Sequence, residues 1–555
     1  MSTAPIDCDV MVLGGGLAGL TAALQLKKIR PQTRVVVAEK REHPVPEAAF
    51  KVGESGAEIG CHYLNESIDF ADHMAEQQIR KFSLRIFPTA NGNQDITCRP
   101  EIGLSKPSPM RTWQFDRGRL ENALTEAVVD AGVELLDGWQ VGGFELGADR
   151  HEVSVRNGSS RRDVSAKWIL DASGRTGLLR RQLGLGVKIE HNVSAAWFRI
   201  GHRVKVDDWS DDPSWQARVP SGNRWKSTNQ LVGEGYWIWL IPLASGSTSI
   251  GLVADERFVP FERFRRYDAL LEWLRENEPQ LASKLPEDEG GVQDFLKLKN
   301  YAYGTRRGLS GNRWALTGEA GLFLDPLYST GLDFIAVANT LATHLIKHSL
   351  DDEPAPDWRR RLKAYNGYYL GQFVAWEPTF AGQYEVFRNA QTTAAKIVWD
   401  NASYFRFPVM LFLNDTIIDP EFLASVRERT ARMHPLNMWM QRCLRELSAQ
   451  GAKLHGAGFP ASTPKGLDTL FSLALNRLPA DEVRERLDQH QRLLESLAYQ
   501  LTSRMYAACG IPMPEPPMEL ARELEDDLIQ WVDYDRRTAP PSEAPPQPED
   551  AWQIV

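Results

Sequence analysis

Three glycines in VLGGGLAGL, namely Gly14, Gly16 and Gly19, stand in a G-x-G-x-x-G pattern between an apolar run, Val10 to Leu13, and a segment from Leu20 to Leu26 in helical spacing. The chemistry of that spacing is phosphate binding. The first glycine permits a tight turn, the second lets a pyrophosphate approach the backbone, and the third lets helix and strand pack closely. A second apolar run, Val35 to Ala38, follows at the distance a βαβ unit requires, and Glu39 ends it. A carboxylate about 20 residues after the last glycine is placed to accept from a ribose 2′-hydroxyl. Farther on, Trp237 and Trp239 lie two apart in WIWLIP, so on a strand the two indoles face one way, as core packing or as a wall. Lys81 lies in a basic run with Arg80 and Arg85, either a solvated strand edge or a hydrogen-bond donor in a site. Asp325, before Pro326, stands at the entrance to a helix whose N–H groups and dipole favour an anion.

The elements that must position these groups belong to an α/β nucleotide fold. Leu120, Leu124, Ala127, Val128 and Ala131 share one helical face that stops at Gly132. Val133 to Leu136, then Val153 and Val155, read as strands, and Trp168 to Leu170 leads into DASGRTG. From about 194 to 253, strands punctuated by Gly and Ser predict an antiparallel sheet inserted into the nucleotide module, which spans 1–350. From 351 to about 533 the pattern is helical. Val483, Leu487, Leu494, Leu497 and Leu501 lie at helical offsets, with Asp481 as the expected N-cap. The segment 534–555 has too much Pro and too little apolar content to pack, and disorder is expected there.

Composition excludes several classes of function. A chain of 555 residues can bury a large core and form two or three domains. With 64 Lys+Arg against 73 Asp+Glu, a net charge of -9 leaves no basic excess for nucleic acid. The five cysteines form no C-x-x-C pair, so neither a disulfide framework nor a thiolate metal site is expected. His62, beside Cys61, lacks partners at metal spacing and reads as structural. The N-terminus has no basic run before its apolar stretch, and no apolar run reaches the roughly 18 residues of a membrane span. A soluble, cytoplasmic protein without membrane partners is expected.

Longer motifs carry a family resemblance. DASGRTG, from Asp171, and LTGEAGLFLDP, from Leu316, resemble the second and third FAD contacts of glutathione-reductase-like flavoprotein monooxygenases. That likeness implies FAD, with contacts from Asp171, Gly318, Glu319 (where the family usually has Asp) and Asp325. Arg117 in QFDRGRL matches the family's flavin-proximal arginine, with Arg119 as the competing choice. The hexapeptide WIWLIP, with Trp237, Trp239, Ile241 and Pro242, matches W-x-W-x-I-P and resembles the flavin-dependent halogenases, in which it is taken to keep substrate from the flavin. KVGES, ending at Ser55, is similar to their flavin-bordering strap, and Lys81, 26 residues on, stands near the offset of their essential lysine, with Lys51 the less favoured alternative. In DPLYSTGLDF, Thr330 and Gly331 match the halide-holding segment.

The likeness implies a two-component enzyme. FADH2 from a separate flavin reductase would form a flavin hydroperoxide with oxygen and oxidise chloride or bromide. Lys81 would then direct hypohalous acid, or a haloamine, to an electron-rich ring. Tryptophan halogenases carry Glu immediately before Ser-Thr-Gly, whereas this chain has Tyr328. The resemblance is therefore closer to halogenases of phenols, pyrroles and polyketide aromatics, acting on a free or carrier-tethered aromatic. Tyr365, Tyr369, Phe373, Trp376, Phe380, Tyr384 and Phe387 recur at helical steps, as core or as substrate lining. An FAD-dependent aromatic hydroxylase on the same scaffold is the alternative, and a noncatalytic flavin-binding protein is a rival of another class.

Overall fold

The computed structural model describes residues 5–460, 477–521, 528–529 and 531–532; the proline-rich segment 534–555 lies outside them. The opening is the expected βαβ unit, with β1 (Ile6–Leu13), α1 (Leu17–Ile29) and β2 (Val35–Glu39). A short helix α2 (Glu58–His62), strand β3 (Leu84–Pro88), helix α3 (Arg117–Asp130) and strands β4 (Glu134–Asp137) and β5 (Ser160–Asp171) follow. β1 lies between β2 and β5, all parallel, with Leu13 level with Ala38 on one side and Asp171 on the other. Val10 to Leu13 are wholly buried because α1 covers one face and a core containing Phe144, Val153 and Val155 covers the other. That two-sided burial explains a continuous apolar run in place of alternation. It also brings the carboxyl ends of β1, β2 and β5, where Gly14, Glu39 and Asp171 stand, to one edge.

A second sheet holds β6 (Val193–Ile200), β7 (Thr228–Gly233), β8 (Tyr236–Pro242), β9 (Thr248–Asp255) and β10 (Asp294–Leu298). Its order is β10-β6-β9-β8-β7-β3. The 194–253 segment supplies its centre, but the sheet is wider than that segment and not purely antiparallel, since β3 joins β7 in parallel register, Leu84 beside Thr228. Pairing between segments so distant in sequence leaves no local periodicity to read. Along β8 the alternate residues Trp237, Trp239 and Ile241 enter the main core while Ile238 and Leu240 enter a second core on the opposite face.

After β11 (Trp314–Leu316), which extends the parallel sheet beside β5, the chain becomes helical: α4 (Thr330–Leu350), α5 (Ala355–Phe380), α6 (Ala390–Tyr404), α7 (Pro420–Ser448) and α8 (Ala480–Cys509). α4 packs on α1 and α2, tying the nucleotide sheet to the helices. The α8 stripe Val483, Leu487, Leu494, Leu497 and Leu501 is buried, and α8 stops at Gly510, whose φ of 64° suits a left-handed terminus. The N-cap of α8 is Pro479, not Asp481. Asp481 falls within the first turn, where its charge still complements the helix dipole. Among the described residues, no helix is long and apolar enough to cross a membrane.

Candidate active site

The glycine turn is built for a dinucleotide. Gly14 has φ +113°, and the Gly15 N–H donates to Glu39 Oε2 at 2.8 Å. The second oxygen of Glu39 accepts from the Arg41 N–H at 3.0 Å, so the carboxylate stands fixed at the end of β2 with lone pairs left for a ribose. α1 has no acidic residue in its first turn. Lys51 Nζ lies only 3.0 Å from where a Cβ on Gly16 would sit. Lys51 and Arg117 converge on Glu121, at 2.8 and 2.6 Å, and Arg117 also donates to the Val52 carbonyl at 2.7 Å. Lys51 over the α1 N-terminus, with Arg117 sharing its partner Glu121, suits a pyrophosphate, so these residues fit FAD. Arg119 instead turns outward to Glu47.

The other flavin-motif residues have internal partners. Asp171 accepts from the Ser173 and Leu179 N–H groups, which shapes the DASGRTG turn. Gly318, at φ +55°, lets its loop approach Ala18 of α1, and Glu319 meets Arg175 at 3.4 Å. Asp325 is buried and accepts from Tyr384 OH at 2.6 Å and Tyr301 OH at 3.2 Å. Its Oδ2 also meets His191 Nε2 at 2.6 Å, and its Oδ1 accepts from the Leu327 N–H. The contacts of Asp325 thus fix the approach to α4.

Lys81 is buried, and its Nζ donates to Ser55 Oγ at 3.1 Å and to the Gly56 carbonyl at 3.3 Å. The strap and the lysine that the sequence separates by 26 residues are therefore in contact. Ser55 is held in turn by Thr228 of β7 at 2.8 Å. Burial lowers the Lys81 pKa, opposed chiefly by Glu58. Lys81 faces a cavity of about 120 Å³ whose wall also includes Glu58, Tyr328, Thr330, Trp376 and Asp400. Thr330 opens α4, with its hydroxyl donated to the Asp325 carbonyl at 3.0 Å, and Gly331 follows it there. The first-turn N–H groups of such a helix have no intrahelical acceptors. Of the helical aromatic stripe, Trp376 reaches the cavity wall; Tyr365, Tyr369, Phe373, Phe380, Tyr384 and Phe387 belong to the core.

Trp237 and Trp239 do face one way, with ring centroids 5.7 Å apart, but they stand behind the cavity and not on its wall. The Trp237 indole donates to Tyr384 OH at 2.7 Å, and Tyr384 donates to Asp325. The Trp239 indole donates to Ser249 Oγ at 3.1 Å, and Ser249 donates to Glu54 in the strap at 2.9 Å. The pair thus braces both the strap and the entrance to α4, while Ile241 and Pro242 finish the strand. Gly251, opposite Trp239, leaves room for that ring: an alanine Cβ would lie 2.2 Å from it. Gly251→Ala is expected to destabilise the protein by about 2 kcal/mol or more, measured by urea unfolding, with a changed tryptophan emission spectrum.

The sequence reading passed over four polar groups near Lys81, namely Glu58, Asp333, Asp400 and Tyr404. Asp333 accepts from the Gly60 N–H and from Tyr404 OH, both at 2.8 Å. A lone carboxylate inside the apolar run GLDFIAVA was the available signal. Burial raises the Asp333 pKa from 3.8 to about 7. The fold therefore favours its protonated form, and the stability it contributes is full below pH 3.8 and is lost as pH rises through about 7. Asp333→Asn should remove this dependence: between pH 5 and 8 the variant should gain about 2 kcal/mol relative to the native chain in denaturant titrations.

Comparison with known proteins agrees with the dinucleotide-binding fold. The family model described as an FAD binding domain matches residues 7–226. The chain is 26% identical over 393 residues to a flavin-dependent halogenase of Dictyostelium discoideum, covering 64% of this chain and 63% of that one, so the match spans less than two thirds of the relative. It is 25% identical over 348 residues to a 1H-pyrrole-2-carbonyl-[peptidyl-carrier protein] chlorinase of Pseudomonas fluorescens, covering 59% of this chain and 72% of that one. In fold it resembles the crystal structure of halogenase PltM, with a TM-score of 0.60 at 16% identity, over 90% of this chain and 99% of that one. The matched FAD-binding domain and these relatives give this chain a likeness to the flavin-dependent halogenases.

Proposed function

We propose that this protein halogenates an electron-rich aromatic compound, using oxygen and FADH2 supplied by a separate flavin reductase. The observation that carries the reading is Lys81, a buried amine anchored by Ser55 Oγ and the Gly56 carbonyl beside a cavity. Bound and reduced, FAD supplies the chemistry that oxidises chloride or bromide to hypohalous acid. Gly14, Gly16, Gly19 and Glu39 would hold its adenosine and pyrophosphate end, with Lys51 and Arg117 supplying positive charge for the phosphates. The N–H groups at Thr330 and Gly331 receive the halide at the positive end of α4. Lys81 donates a hydrogen bond to hypohalous acid and aims the halogen into the cavity.

An apolar cavity of about 150 Å³ accepts benzene, and the space here, about 120 Å³, suits one ring with the remainder of the substrate outside. Relatives named for a carrier-bound pyrrole and for tetracycline support a substrate that is activated and either free or tethered. The five unpaired cysteines suit the reducing cytoplasm, where such a reductase would work.

The test is mass spectrometry of aerobic reactions containing FAD, a flavin reductase, NADH, bromide, catalase and a panel of phenols, pyrroles and indoles. A bromine isotope doublet is expected. Products heavier by one oxygen alone would overturn halogenation in favour of hydroxylation.

A further inference from the structure

The charged groups around the cavity other than Glu58 have hydrogen-bond partners. Asp400 accepts from Tyr328 OH at 2.7 Å, from Lys396 at 2.8 Å and from Gln441 at 2.7 Å. Asp333 has both oxygens occupied by Gly60 and Tyr404. Lys81 has three N–H bonds and gives two of them to Ser55 and Gly56. Glu58 differs: among the described residues no other side chain donates to its carboxylate, although it lines the cavity beside Lys81. Glu58 is part-buried at the cavity wall, and a carboxylate there without a donor is an open acceptor for a donor on whatever fills the cavity.

We propose that Glu58 is the base that receives the acidic proton of a substrate O–H or N–H conjugated with the carbon attacked. The proposal rests on the halogenation reading above and names its proton acceptor. With a phenol, the Glu58 carboxylate takes the hydroxyl proton as the ring carbon forms its bond to halogen. The halogen–oxygen bond of hypohalous acid breaks, and the departing hydroxide takes a proton from Lys81 and leaves as water. The resulting dienone loses its ring proton to the Lys81 amine, and Glu58 returns its own proton to the phenolate oxygen. The sum is phenol plus hypohalous acid giving halophenol plus water, with both side chains restored. The position of Glu58, three residues after Ser55 on the same strap segment, puts base and halogen donor on one rigid unit.

The experiment compares the native chain with Glu58→Gln and Glu58→Asp on a phenol and on its methyl ether, with a diketone scavenger present to trap escaping hypohalous acid. FAD titration by fluorescence checks that each variant is folded. Glu58→Gln is expected to lower halogenated phenol about 100-fold, to leave FAD affinity and flavin reoxidation unchanged, and to raise halogenated scavenger. The preference for phenol over ether should collapse in Glu58→Gln and persist in Glu58→Asp. Halogenated phenol from Glu58→Gln within threefold of native would overturn the role of Glu58 while leaving halogenation standing. No halogenated arene and no halogenated scavenger from the native chain would overturn both.

Discussion

Lys81→Met is expected to reduce halogenated product by about 10³-fold while flavin reduction and reoxidation continue at native rates. Methionine keeps the length and apolar stem of lysine and removes only the ammonium. Of the groups that Lys81 contacts, Ser55 Oγ keeps its bond to Thr228 and the Gly56 carbonyl loses one long hydrogen bond. Burial already disfavours the charge on Lys81, which offsets the hydrogen bond lost at Gly56, so its removal should leave thermal stability nearly unchanged. That outcome separates the two roles open to a buried lysine. A structural lysine would cost stability when replaced and leave product per folded molecule unchanged; a catalytic one does the reverse. Lys81→Arg should not restore product, since a planar guanidinium neither fits the contacts of a compact ammonium nor gives up a proton. Native levels of halogenated product from Lys81→Met, measured by mass spectrometry with catalase present, would refute the assignment.

Gly19→Ala is expected to abolish FAD binding and most of the soluble protein. A Cβ at Gly19 would lie 1.9 Å from the Gly14 carbonyl oxygen, which is backbone in the turn between β1 and α1 and has nowhere to move. Relief requires α1 to withdraw from the sheet, and α1 also packs against α4, so the disturbance reaches both the dinucleotide seat and the approach to the cavity. A loss above about 4 kcal/mol is the scale of such a clash. Flavin absorbance per mole of purified protein and soluble yield measure it. Gly371→Ala is the control: it lies in α5 with open space where the Cβ would stand, and alanine there should stabilise by about 0.5 kcal/mol or more. Retained FAD in Gly19→Ala would show that the close approach of helix and strand is dispensable.

The residue order alone established the nucleotide half of the molecule. Gly14, Gly16, Gly19 and Glu39 are read in one βαβ unit because each contact there is local, and two-sided burial writes itself into the chain as an unbroken apolar run. The same holds for the Trp237 and Trp239 pair, whose common direction follows from strand geometry. Tertiary structure decided the rest. The contact of Lys81 with Ser55, the engagement of Asp325 by Tyr384, and the parallel seating of β3 beside β7 join segments with no shared periodicity. Whether a tryptophan lines a cavity or braces it depends on what packs against its far side, and α5 and α6 are remote from β8 in sequence. Glu58 was illegible for the same reason. A glutamate just after a strap looks like any surface acid until the fold sets it on a cavity wall beside Lys81 with no described side chain donating to it.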